Sequence, residues 1–281
     1  MIELVAVSIT IIVENTVQRP ELLAEHGFAA LVDVGGKKIL FDTGAGQTLI
    51  SNAEVLGVDL TDISAVVLSH GHYDHTGGLR AFLKLYGPVD VYAHPDVFRE
   101  RYKVEAATAP EYIGIPWTRK QLQDEGAMLH LKTTPAELGD GVFLTGAIPR
   151  LTPYENISNK FQIKSDNSWE QDEILDDQAL IIRCSSGIVV LSGCAHAGLI
   201  NTLKHVQLLT GEQKIHAFFG GTHLNGADNG RIECTIEALK EFDLDIVGAG
   251  HCTGFGASAA LYNALGDKFA CIPVGSVFEL E

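Results

Sequence analysis

Residues 70–75 read His-Gly-His-Tyr-Asp-His, and no other stretch of this 281-residue chain limits so strongly what it can fold into. Four side chains able to ligate a metal fall within six residues, directly behind the apolar run Ile-Ser-Ala-Val-Val-Leu at 63–68. That run reads as a short buried strand, so the ligands sit where a strand leaves its sheet. Neutral imidazole suits zinc and other first-row metals, and a carboxylate adds charge and a harder oxygen. Two positions apart in extended chain, His70 and His72 point the same way, toward one ion. Asp74 and His75 open the next helix and turn toward a second. Two ions roughly 3.5–4 Å apart are the arrangement of two-metal hydrolytic sites. Gly71 permits the tight backbone path, and Gly77-Gly78 lets the backbone approach closely. A single histidine is most often structural or solvated; four donors at this spacing are not accounted for that way.

Around this run, strand and helix patterns alternate. Strands are expected at 2–13, 28–34, 37–41, 63–68 and 89–93, with a Gly35-Gly36 hairpin turn and helices at 47–56 and 78–85. The second half repeats the scheme: a hairpin of 179–184 and 188–192, then helix 199–209, strand 215–219, helix 231–241, strand 246–248, helix 257–265 and a closing strand at 270–277. Antiparallel hairpins followed by β-α-β alternation, twice over, predict an α/β fold, a four-layer αββα sandwich of two mixed sheets, with one doubly wound sheet as the alternative. A single domain over residues 1–281 is expected, since no linker separates the halves. Periodicity weakens at 102–139, and residues 150–177 are polar, dotted with aromatics and weakly patterned, which suggests a lid over a site. His196 and His251 each follow a strand, and ligands at the carboxyl ends of neighbouring strands converge.

Composition excludes several classes. With 20 Lys+Arg against 36 Asp+Glu, the formal charge of -16 disfavours extended nucleic-acid binding. A small anion is still accommodated where a dication inverts the local field. No apolar run approaches the roughly 18 residues that span a bilayer, so no membrane partner is expected. The five cysteines form no C-x-x-C pair, which favours a reducing compartment, and the expectation is a soluble cytoplasmic protein with a homo-oligomer left open.

The stretch Leu68-Ser69-His70-Gly71-His72-Tyr73-Asp74-His75-Thr76-Gly77-Gly78-Leu79 resembles the H-x-H-x-D-H signature of the metallo-β-lactamase superfamily. Leu40-Phe41-Asp42-Thr43-Gly44 looks like that family's early aspartate turn, which implies a supporting role for Asp42 behind the ligands, and Gly250-His251-Cys252 sits where its last histidine ligand belongs. Gly193-Cys194-Ala195-His196, Gly220-Gly221-Thr222-His223 and His251-Cys252-Thr253-Gly254 resemble, more narrowly, the subgroup that includes the archaeal dihydropterin synthase of methanopterin biosynthesis. Glu14-Asn15-Thr16 and Glu25-His26-Gly27 fit that subgroup as well. The resemblance implies two divalent transition-metal ions at one edge of the sandwich, zinc first, with iron, manganese or nickel also compatible. One departure stands out: Cys194 occupies the place of the family's bridging aspartate. The family's separate upstream histidine is also missing, and His196 is its natural replacement. His70, His72 and His196 are therefore assigned to one metal, and Asp74, His75 and His251 to the other. Cys194 is either a thiolate ligand or a buried neighbour. Asn15, His26 and His223 are expected on the substrate side.

Two functional classes follow. A hydrolase would attack a small, phosphorylated substrate through a metal-bound hydroxide, with Asp74 orienting or deprotonating the nucleophile and His223 protonating the leaving group. A transferase would join a dihydropterin diphosphate to an aromatic amine phosphate and release pyrophosphate, with Tyr154, Phe161 or Trp169 stacking on the heterocycle. A non-catalytic metal-binding or sensing protein is the third reading.

Overall fold

The structure is a computed structural model and describes residues 6–106, 108–165 and 168–280. Its first sheet runs antiparallel through β1 (Val7–Val13), β2 (Ala29–Val34) and β3 (Lys37–Phe41), then parallel through β4 (Ile63–Val67), β5 (Val89–Ala93) and β8 (Ala127–Leu131), with β18 (Val277–Leu280) on the far edge of β1. The second sheet repeats this order. It is antiparallel through β9 (Ala136–Gly139), β10 (Val142–Leu144), β13 (Ala179–Cys184) and β14 (Gly187–Ser192), then parallel through β15 (Ile215–Gly221), β16 (Ile246–Gly250) and β17 (Phe269–Cys271). The β2–β3 hairpin forms about Gly35-Gly36, both glycines at positive φ (60° and 93°), as a tight hairpin turn requires.

Strand alternation divides the side chains among three apolar layers. Ile9, Val32, Phe41 and Val67 from the first sheet meet Leu180, Val189, Leu191 and Phe219 from the second, between the sheets. Leu31, Leu40 and Val66 face outward under α1 (Leu49–Leu56), α3 (Leu79–Tyr86) and α4 (Arg119–Asp124). Ile181, Val190 and Phe218 face outward under α5 (Leu199–Thr210), α6 (Asn229–Glu241) and α7 (Phe255–Leu265). The result is the αββα sandwich. Both faces of the central strands are buried, so a one-residue slip would exchange whole layers and misfit every side chain, which fixes the register.

Three sequence expectations change. The closing strand of 270–277 is two strands, β17 and β18, at edges of different sheets, because Pro273 and Gly275 break the run. The stretch 102–139 carries real structure of low periodicity, including β6 (Arg101–Lys103), β7 (Glu111–Tyr112) and the helix α4. Residues 150–177 hold a hairpin of β11 (Phe161–Ser165) and β12 (Ser168–Gln171), which joins β6 and β7 in a separate antiparallel sheet. The apolar alternation of β11 covers only Phe161 to Lys164 and β12 is fully exposed, too short a signal to announce a hairpin. Among the described residues, no helix is long and apolar enough to cross a membrane.

Candidate metal centre

The apolar strand β4 ends at Val67, and the chain then delivers its donors in quick succession. His72 caps the one-turn helix α2 (Tyr73–Thr76), whose first turn carries Asp74 and His75. Close backbone approach is needed here: a Cβ on Gly71 would collide with the Val97 carbonyl and the Arg101 guanidinium, and one on Gly193 with Ser69 and Asp42. His196 lies just beyond β14, His223 just beyond β15 and His251 just beyond β16, so three adjacent parallel strands of the second sheet end against α2.

These side chains converge. His70 Nε2 and His72 Nδ1 lie 3.0 Å apart, and the His196 ring centroid is 4.7 Å from that of His70 and 4.9 Å from that of His72. On the other side, Asp74 Oδ2 lies 3.7 Å from His75 Nε2 and 3.5 Å from His251 Nε2. Ligand atoms at about 2.0–2.3 Å from a tetrahedral ion are separated by roughly 3.3–3.8 Å, so the two Asp74 spacings match the edges of such a polyhedron, while the His70–His72 pair is closer. Three donor groups result: His70–Cys194–His196, His75–Cys194–His251 and His26–Asp74–His251, each with its ligand atoms within 4.8 Å of one another. His26, expected on the substrate side, comes within 3.2 Å of Asp74 Oδ2 while its side chain stays 59% exposed.

The remaining imidazole nitrogens show how the rings are aimed. His75 Nδ1 donates to Asp42 Oδ2 at 2.7 Å, His70 Nδ1 lies 2.9 Å from Ser69 Oγ, and His251 Nδ1 lies 2.9 Å from Asn15 Oδ1. Asp42 also accepts from the Ser69 amide and hydroxyl, each at 2.7 Å. The anchors of His75, His70 and His251 turn their opposite nitrogens inward, and in this cluster His251 Nε2, His72 Nε2 and both nitrogens of His196 are buried with no hydrogen-bond partner. Orphaned buried nitrogens are costly unless something binds them. Asn15, expected to meet substrate, therefore serves as an orienting partner of His251; its amide also lies 3.4 Å from His26 Nδ1.

The electrostatics fit a bound cation. Burial lowers His70 and His196 well below the ordinary imidazole range and His72 to about 3, which leaves neutral donors. Burial opposes charge on His75, yet Asp74 and Asp42 raise it to about 9, so the surroundings favour positive charge there. Burial alone would raise Asp74, but His75, His251 and His26 hold it well below the carboxylate range. Asp42, Ala195, His223 and His251 all sit at positive φ between 47° and 59°, a strained conformation of roughly 1–3 kcal/mol each that clusters at functional sites.

Several contributors escape sequence reading. Glu14 is buried, accepts the His251 amide, and takes the Thr16 amide at 2.6 Å. Arg101 is 1% exposed and grips Asp176 through both terminal nitrogens at 2.6 Å, with Asp172 2.8 Å from its Nε. Asp176 in turn accepts the Gly71 amide at 2.8 Å, Gln178 bonds the Leu68 and Ser69 carbonyls, and Asp177 accepts the Ala197 amide at 2.7 Å. Residues 172–178 thus brace both ligand loops. Pairs so far apart in sequence give no local signal. His94, His130, His205 and His216 instead bond outside the cluster, to Asp96, Asp90, Thr145 and Asp245.

A cleft of about 390 Å³ opens over the centre, bordered by Asn15, His26, Tyr73, Lys103, Phe161, His223 and Asn225. The Phe161 ring stands 5.5 Å from those of His72 and His196 and 5.6 Å from His223. Trp169 instead packs 5.1 Å from Tyr102, and the Tyr154 hydroxyl donates to the Cys234 carbonyl at 3.4 Å.

Sandwich and site together define the class, and the chain belongs to the metallo-β-lactamase superfamily, whose model matches residues 23–147. It is 31% identical over 91% of its length, and 90% of the relative's, to the 7,8-dihydropterin-6-methyl-4-(β-D-ribofuranosyl)-aminobenzene-5'-phosphate synthase of Methanocaldococcus jannaschii. Among solved structures it is similar to Tm1679, described as a metal-dependent hydrolase of the β-lactamase superfamily (TM-score 0.85, 27% identity, covering 98% of this chain and 99% of that one). The metallo-β-lactamase fold protein YhfI from Bacillus subtilis matches in fold alone, with TM-score 0.60 at 15% identity over 98% of this chain and 100% of that one. The chain is an enzyme of this superfamily, acting on a small molecule.

Proposed function

We propose that this enzyme is a two-metal hydrolase of a small phosphorylated molecule. The observation that carries the reading is the convergence of buried, partnerless imidazole nitrogens and the Asp74 carboxylate on one cleft. His70, His72 and His196 would hold one ion; Asp74, His75 and His251 the other, with His26 beside them. Divalent ions held there supply Lewis acidity and acidify water for attack on a phosphoryl or carbonyl centre. The chain's own residues do the rest. Asp42, Asn15 and Ser69 orient the imidazoles. Asp74 Oδ2 faces the cleft and orients the attacking water or takes its proton. His223, whose amide donates to Cys252 Sγ at 3.2 Å and whose Nδ1 is unpartnered, protonates the leaving group. Lys103 at the rim offers a cation to a phosphate, and the β11–β12 hairpin, carrying Phe161, is the lid that limits water in the cleft.

A second reading is favoured by the synthase relative, which is similar over nearly the whole chain. In it the same donors hold the ions against a departing diphosphate, and an aryl amine replaces water as acceptor. One experiment separates the two. Zinc- or manganese-loaded protein is assayed against simple phosphodiesters and against a dihydropterin diphosphate, with and without an aryl amine phosphate. Turnover of phosphodiesters that falls on the order of 100-fold or more in His72→Ala supports hydrolysis, since even partners behind the ligands are worth 10–100-fold. Coupled product formed only with the amine moves the assignment to transfer. Protein that binds no transition metal overturns both.

A further inference from the structure

The two donor groups that would hold the ions share one atom. Cys194 Sγ belongs to the group of His70 and His196 and equally to the group of His75 and His251, and it is the only side chain common to both among the described residues. It is 3% exposed and is hydrogen-bonded to His75 Nε2 at 3.2 Å. That hydrogen bond does not account for the position alone, because Sγ also lies within 4.8 Å of donor atoms of His70, His196 and His251. Nor is the cysteine mere filling. The next residue, Ala195, holds a left-handed φ of 53°, and the preceding Gly193 is pressed against Ser69 and Asp42, so the backbone is shaped to bring this side chain between the two histidine sets.

We propose that Cys194 is a bridging thiolate, the one protein atom bonded to both metal ions. This rests on the two-metal reading above. On metal binding the thiol proton leaves to solvent and the sulfur lone pairs bond to the two ions. The sulfur brings a single negative charge, so with Asp74 the protein contributes two charges against the four of two divalent ions, and the centre stays cationic toward an anionic substrate. A thiolate at the shared position also selects softer metals: zinc, iron or cobalt are accepted and magnesium or calcium disfavoured.

Cobalt(II) loading tests this without any assay of turnover. The wild-type protein should take up two ions per chain and show an intense near-ultraviolet thiolate-to-cobalt charge-transfer band. Cys252 lies close by, its thiol donating to the Cys194 carbonyl at 3.5 Å, so Cys252→Ala is the control and should keep the band. In Cys194→Ala the band should vanish and the affinity of both ions should fall on the order of tenfold or more, measured by chelator competition. Cys194→Asp should lack the band while retaining two ions, which shows that the pocket still folds and that any anion at this position can bridge. Loss of only one ion in Cys194→Ala would make the cysteine a terminal ligand and overturn the bridge. So would a band that survives in Cys194→Ala or disappears in Cys252→Ala. Two cobalt ions bound to wild type with no thiolate band would overturn this inference alone, whereas no cobalt bound would overturn the two-metal reading with it.

Discussion

At the scale of single residues, several side chains of the site are each aimed by one other. Asp42 illustrates this: one carboxylate takes the Ser69 amide, the Ser69 hydroxyl and His75 Nδ1, all at 2.7 Å. Asp42→Asn keeps the shape but removes the charge that fixes the His75 tautomer, and metal affinity should fall about 10–100-fold by chelator competition while the far-ultraviolet circular dichroism is unchanged. Unchanged affinity would show that the buried pair only fills space. This much was legible, because Asp42 and residues 70–75 fall in short motifs with a strand before them. His26 was read as a substrate contact and arrives at 3.2 Å from Asp74, since nothing beside it in sequence suggests a ligand. Glu14 escaped for the same reason: a buried acid shaping the His251 backbone has no local signature. The positive φ of Asp42, Ala195, His223 and His251 is likewise invisible in sequence, because glycine is the usual marker of such backbone and none stands at these positions.

At the scale of elements, long-range carboxylates do what local sequence does not. Helix α5 begins after Gly198, which offers no capping side chain, and Glu155 supplies the cap by accepting the Ile200 and Asn201 amides at 2.8 Å each. Glu155→Ala should destabilise the fold by about 1–2 kcal/mol in urea denaturation. Burial raises the Glu155 pKa above the ordinary carboxylate range, so the folded state holds its proton more tightly than the unfolded chain. Its contribution to stability therefore declines as pH rises from about 4.3, the unfolded value, through the folded value. Glu155→Gln carries no such proton and should lack that component of the slope; identical pH profiles for the two proteins would refute the assignment. Arg101 plays a second bridging role, joining β6 to residues 172–176 and through Asp176 to Gly71. Arg101→Met strands two buried carboxylates and should cost about 3–5 kcal/mol, whereas adding Asp172→Asn and Asp176→Asn should recover much of it. The sequence pointed to residues 150–177 as special only through their lack of pattern. It did not distinguish the exposed hairpin from the buried brace, because the partners that bury the brace lie about 70 to 105 residues away.

At the scale of the whole molecule, sandwich and metal centre are separable. The fold was the most legible part: strands buried on both faces announce themselves as apolar runs, and the repeated hairpin-then-β-α-β order fixed the layers. Those three layers are built from apolar side chains rather than from the donor cluster, so this chain should differ from small domains that fold only around their metal. Yet the candidate donors impose a strain on that fold. Partnerless nitrogens on four histidines and left-handed backbone at four non-glycine positions are held together in one buried cluster. An ion that binds only the folded chain relieves this and adds about 2.7 kcal/mol per site when present at 100 times its dissociation constant. For a chain of this length, that corresponds to roughly 5 °C in Tm per site. Chelation followed by dialysis should thus lower Tm by about 10 °C for two ions, while the far-ultraviolet circular dichroism at 25 °C stays native. Re-addition of zinc should restore Tm in two resolvable steps of metal per chain, or in one step if a shared ligand makes the second ion bind more tightly than the first. Complete unfolding on chelation would mean that the layers do not stand alone. No change in Tm on either removal or re-addition would mean that the cluster binds no ion at all.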